Sequence, residues 1–135
     1  MNLRARDFAA EWDRPWFGFW DREAAVLGRE FSLDDHVDPA WQPDDKPALV
    51  RYLRESPAAL VGQVLEVPCQ RCGGLIHPAL YQSDGEWLWT DTAVHLVEHH
   101  GFVLPDRFVA AIRARGYVPP ADLPADTVDR LWPID

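Results

Sequence analysis

VPCQRCGGLIH, residues 67–77, holds the only two cysteines of the chain, Cys69 and Cys72, followed at once by Gly73 and Gly74. Three readings compete for such a pair. A redox Cys-x-x-Cys opens a helix inside a βαβ pattern, where terminal N–H groups stabilise the thiolate. Gly73-Gly74 discourages a helix at this point, and no βαβ pattern surrounds it. A metal knuckle needs both thiolates to converge on one ion at about 2.3 Å, which a tight turn between strands with glycine after the second cysteine permits. The third reading leaves the cysteines as small buried hydrophobes. ALVGQVLEV (59–67) before the turn and LIHPALYQ (75–82) after it read as strands, with Pro78 favouring an edge position for the second.

Histidines supply the other half of a metal site. DTAVHLVEHHGF, residues 91–102, predicts a helix over about Asp91–His100 that ends at Gly101 and carries His95, His99 and His100. Knuckle, hairpin and helix follow one another as in a Cys2His2 site. The spacing is longer, since 22 residues separate Cys72 from His95 where an ordinary finger has about twelve. On an ideal helix His95 and His99 lie about 40° apart, and His95 and His100, five apart, still converge if the last turn tightens. The wheel places His100 with Ala93, Leu96 and Val97 on the apolar side and turns His95 and His99 away, which leaves the pair undecided. The candidate ligands are Cys69, Cys72, His95 and either His100 or His99, and the expected cofactor is a structural Zn2+. HLVEH, residues 95–99, also matches H-x-x-E-H, in which Glu98 would be the general base of a zinc hydrolase. Such an enzyme keeps one metal position open for water, whereas two cysteines with two histidines close the shell.

The rest of the chain predicts a single α+β domain over residues 1–135: a small antiparallel sheet with the knuckle turn and several packed helices. Residues 1–31 read as helical, broken at Pro15, with Trp16, Trp20, Ala24 and Leu27 as an inward stripe and WFGFW as core. SLDDHVDPAWQPDD reads as a solvated acidic loop that lacks the central glycine and final glutamate of a calcium loop. Within the central region 46–116, KPALVRYLRE is a helix with Leu49, Tyr52 and Leu53 on one side, Ser83-Asp84-Gly85 a hairpin turn, and LPDRFVAAIRARG a second helix with Phe108, Val109 and Ile112 inward. Residues 117–135 form a proline-rich tail with one helical turn near DTVDRLW.

A chain of 135 residues suffices for one core, burying roughly two thirds of its unfolded surface. With 22 acidic against 13 basic residues its net charge is −9, which repels phosphate backbones and attracts basic partners. Arg107, Arg113 and Arg115 are the one local basic patch that speaks for nucleic acid. No apolar run approaches about eighteen residues, and MNLRARDFAAEWD lacks the apolar core of a signal peptide. The expected location is the cytoplasm, where reduced thiols favour metal binding or catalysis over a structural disulfide. Size and charge suggest an acidic binding or regulatory protein for a basic protein partner, in the manner of immunity proteins against secreted nucleases. Asp34-Asp35 and Asp44-Asp45 are its expected contact surface.

From about Arg51 to Pro119 the stretches YLRES, CQRCGG and DGEWLWTDTAVHLVEHHGFVLPDRF follow a recurring pattern: YLR, then CRxCG, then DGxxxWPxxLAHYVxxHxVxLPxxF. In this the chain resembles a group of small, largely uncharacterised bacterial proteins common in actinobacteria. The resemblance covers about half of the chain and implies Cys69, Cys72, His95 and His100 as the site residues. His99 and Glu98 fall on variable positions of that pattern, Thr90 replaces its proline and Leu96 its tyrosine. It brings no activity, and the first fifty residues lie outside it.

Overall fold

In a computed structural model, the structure describes residues 2–61, 67–69, 71–76 and 80–133. The architecture is α+β, with six helices and a four-stranded mixed sheet among the described residues. Helix α1 (Leu3–Glu11) is opened by Asn2, whose side chain accepts hydrogen bonds from the amides of Arg4 and Ala5. Its inward face is Ala5, Phe8 and Ala9.

The expected helical continuation fails after Pro15. Trp16–Phe17 is a short strand, β1, that pairs in parallel with β6 (Leu88–Thr90). The Trp12 indole donates to the Trp16 carbonyl at 2.7 Å and the Leu88 amide to the Pro15 carbonyl at 2.9 Å, which holds the chain extended here. Helix α2 (Trp20–Leu27) follows, and its buried residue is Glu23, while Leu27, expected to face inward, is exposed.

Helix α3 (Lys46–Glu55) matches the sequence reading, with Leu49, Tyr52 and Leu53 buried. Strand β2 (Ala58–Val61) pairs antiparallel with β5 (Leu80–Ser83), and β5 antiparallel with β6 across the Asp84-Gly85 turn, giving the order β1-β6-β5-β2. A second, two-stranded sheet joins β3 (Val67–Pro68) to β4 (Leu75–Ile76). The expected strand through 62–66 and the edge position of Pro78 lie outside the described residues. Helices α4 (Asp91–His100), α5 (Asp106–Ala114) and α6 (Thr127–Leu131) complete the chain. Helix α4 packs on β5 and β6, and α3 packs on α4 and α5. At the centre, Phe108 of α5 meets Trp87, Trp89 and Phe17 at ring distances of 4.8, 5.1 and 5.3 Å. No helix among the described residues is long and apolar enough to cross a membrane.

Gly18 makes the β1–β6–α4 junction possible. Its φ is +88°, and a Cβ there would lie 2.4 Å from Thr90 Oγ1 and 3.0 Å from the Ala93 Cβ. Thr90 Oγ1 itself donates to the Gly18 carbonyl and caps α4 by accepting from the Ala93 amide. Gly18→Ala is expected to cost about 3 kcal/mol, combining backbone strain with overpacking. A denaturant melt measures it, and a loss below half that size would mean that the junction yields.

The acidic loop is solvated only in part. After a 3-10 turn at Leu33–Asp35, His36 and Asp38 are 2% and 0% exposed. Arg6 donates to Asp38 at 2.7 Å and Arg4 to Asp35 at 2.9 Å, while the Asp38 amide and the His36 carbonyl bond to Gly101 and Val103. Burial is tolerated because these polar groups exchange water for arginines and backbone. Of the expected acidic contact surface, Asp35 and Asp45 are engaged in the same way, while Asp34 and Asp44 stay exposed. Asp34 pairs with Arg71, and Asp45 accepts from Arg113 at 2.8 and 3.0 Å and from Tyr117 at 2.6 Å. Of the three arginines of the basic patch, Arg113 is thus held by Asp45 and Arg115 by the Asp84 carbonyl and the Tyr52 hydroxyl, while Arg107 is exposed.

One buried pair stands apart. Glu23, 0% exposed, accepts from the Gly18 amide at 3.2 Å, and its other oxygen lies 3.9 Å from His36 Nε2. Rings of Phe8, Phe31 and Phe102 pack around His36 at 4.2, 5.3 and 5.4 Å. Burial pushes the Glu23 carboxyl up to about 8 against the lowering effect of the Gly18 amide. Burial likewise pushes His36 down to about 4, so both groups are neutral near pH 7.

Candidate metal centre

The cysteine turn is built by its own backbone. The Cys69 amide donates to the Gly74 carbonyl at 2.9 Å and the Gly73 amide to the Cys69 carbonyl at 3.0 Å, closing a tight loop between β3 and β4. Gly73 has φ +71°, a conformation that other residues adopt only with strain. This geometry turns amides toward sulfur: Arg71 N–H lies 3.4 Å from Cys69 Sγ and Gly74 N–H 3.4 Å from Cys72 Sγ. Burial raises the Cys69 thiol, but the amides of Arg71 and Cys72, the Cys72 side chain and the Arg71 charge outweigh it and hold the thiol below its ordinary value. A stabilised thiolate is what a metal ligand requires.

Helix α4 presents the histidines. Ala93, Val94, Leu96 and Val97 face the core, and His95 and His100 are half-buried toward the cysteine turn. Cys72 Sγ is 3.7 Å from His95 Nε2, and the ring centres of His95 and His100 are 5.2 Å apart. One donor atom from each of Cys69, Cys72, His95 and His100 lies within 4.8 Å of every other. These four residues could hold a metal ion. The reading that His95 turns away from cover fails because the knuckle covers that edge of the helix, which a wheel of α4 alone does not contain.

The donors fit a four-coordinate ion. Tetrahedral bonds of about 2.3 Å to sulfur and about 2.0–2.1 Å to nitrogen place donor atoms about 3.3–3.8 Å apart, so from separations within 4.8 Å the shell closes with a contraction of about 1.5 Å or less. Nε2 of His100 is buried and has no hydrogen-bond partner among the described residues, as suits an atom that could bond a metal. Burial, then the neighbouring His99 and His100, keep His95 below its ordinary value; burial, then His99 and Arg71, do the same for His100. Both rings therefore offer a lone pair near neutrality.

His99 is outside the cluster. Its ring is more than half exposed and its Nε2 is 3.0 Å from Glu98 Oε1. Glu98 in turn pairs with Arg54 of α3, an arrangement that holds its carboxylate below the ordinary range despite the opposing effect of burial. Arg71, between the two cysteines, is the residue that sequence reasoning overlooked. Its pair with Asp34 ties the knuckle to the 33–41 loop, and nothing in either segment alone announces the partner.

No protein-family model matches the chain, and no curated protein or solved structure is significantly similar to it.

Proposed function

We propose that the chain is a small acidic binding protein whose knuckle is clamped to α4 by a structural zinc ion, and that its partner is a basic protein. The convergence of two thiols and two imidazoles within 4.8 Å carries the zinc half of the reading. A mixed sulfur and nitrogen set of four suits zinc better than hard cations that demand oxygen. Two thiolates neutralise the ion, and a shell filled by protein leaves no position for substrate or water, so the role is to hold shape. The charge of −9 supports the basic partner. The location consistent with reduced thiols is the cytoplasm.

The hydrolase alternative finds less support. It needs His99 with His95 on the metal and a Glu98 carboxylate aimed at bound water, whereas His100 occupies the cluster and Glu98 is engaged by Arg54 and His99.

Protein purified without chelator is expected to carry about one zinc per chain, with X-ray absorption showing two sulfur neighbours at about 2.3 Å and two nitrogens at about 2.0–2.1 Å. Glu98→Gln should leave that content and the thermal midpoint unchanged. A spectrum with three protein ligands and an oxygen would revive the hydrolase, and metal-free protein indifferent to zinc would end the zinc reading.

A further inference from the structure

We propose that the groove between α1 and the end of α2 is a docking site for a cationic amphipathic segment of the partner protein. The proposal rests on the basic-partner reading and gives that partner a place. The groove encloses about 460 Å³. Its floor is Phe8 and Trp12, both buried and backed by ring contacts to His36 at 4.2 Å and Trp16 at 5.0 Å. That backing makes the floor rigid, so little ordering is needed on binding.

One wall is apolar and left to solvent. Val26 and Leu27 of α2 are 36% and 37% exposed, and Leu3 on α1 is 65% exposed; three of the five exposed large hydrophobics among the described residues thus belong to these two helices. The other wall is anionic. Asp7 and Glu11, one turn apart on α1, are exposed and make no ion pair among the described residues, and Asp13, 3.7 Å from Arg14, extends the acidic rim. Of the two arginines at the groove, Arg4 is engaged by Asp35, which leaves Arg29 as the opposing charge.

Charge and shape together choose the occupant. An anionic segment meets three carboxylates, and a wholly apolar one strips water from them without replacing it. A second copy of the chain brings the same acidic rim against itself. Lysine and arginine stems instead cover Val26 and Leu27 while their heads reach Asp7 and Glu11, with the partner's own apolar side chains on the aromatic floor.

The test uses the full zinc-loaded chain and a fluorescent synthetic amphipathic helix of leucine and lysine, followed by anisotropy across salt concentrations. Binding that weakens with salt is expected. Asp7→Lys/Glu11→Lys should weaken it roughly tenfold or more, and Val26→Ser/Leu27→Ser roughly fivefold. Asp122→Lys/Asp129→Lys, the same change of net charge at exposed positions outside the groove, should change it less than about twofold. Melting curves report whether each variant folds; the lysine pair replaces exposed residues and keeps the test decisive if the serine pair does not. Equal losses from both lysine pairs would overturn the groove and leave the basic-partner reading standing. No binding by this peptide or by a folded basic protein would overturn both. A dimer in sedimentation that the serine pair dissociates would assign the groove to a second copy and overturn the proposal.

Discussion

Removing zinc with a chelator is expected to lower the thermal midpoint by about 10–20 °C. An ion present at a thousandfold excess over its dissociation constant stabilises the fold by about 4 kcal/mol, and each kcal/mol moves the midpoint of a domain of this size by about 3–5 °C. The loss is concentrated at the knuckle, because β3 and β4 are two residues each, too short to hold themselves against α4. Cys72→Ser and His100→Ala should reproduce it, with metal content falling in parallel. His99→Ala should shift the midpoint by about 1 °C or less, since an exposed side chain outside the cluster contributes little. Scanning calorimetry with and without chelator, together with metal analysis, separates the cases. An unchanged midpoint, or equal effects at His99 and His100, would sink the assignment.

Glu23→Gln is expected to stabilise the chain increasingly as pH rises. The folded state holds the Glu23 proton to about pH 8 while the unfolded chain releases it near 4.5. Folding therefore binds a proton in that window, and wild-type stability falls there by about 1.4 kcal/mol per pH unit. His36 acts oppositely: its folded value of about 4 lies under its ordinary 6.5, so its contribution is lost as pH falls between them. The two slopes offset each other between pH 4.5 and 6.5 and leave a net decline from 6.5 to 8. Glutamine keeps the acceptor for the Gly18 amide and removes the ionisation. The stability difference between variant and wild type should accordingly grow by about 4 kcal/mol from pH 4.5 to pH 8. Urea melts at several pH values read it, and a difference independent of pH would show that Glu23 ionises freely in the folded state.

The site was more legible than the frame around it. The cysteine spacing and the cluster of histidines are local signals, and α3, α4 and α5 follow from apolar periodicity, with a proline in the first turn of α3 and Thr90 and Gly101 bounding α4. The helical wheel alone did not choose between His99 and His100, because the choice depends on which edge of α4 the knuckle covers, and only the resemblance pointed to His100. Strand β1 was invisible for a related reason. Two residues carry no alternation, and their extended state is set by Leu88 and Trp89 far along the chain. Burial of Glu23, His36 and Asp38 contradicts their residue types; it goes with the Gly18 amide and His36 beside the first, the surrounding rings at the second and Arg6 at the third. Composition sees such groups as surface.

The parallel pairing of β1 with β6 also sets an order of events. The link from Gly18 to Thr90 spans 72 positions of sequence, whereas β5 and β6 meet across a tight turn. On a ribosome, β1 is made well before β6 and waits for it, with Phe17 lacking Trp89, Phe102 and Phe108 until the hairpin and the helices after it have emerged. Nascent chains therefore pass through a stage in which the aromatic amino-terminal segment is exposed, and closure of the sheet's edge by that segment is a late step of maturation.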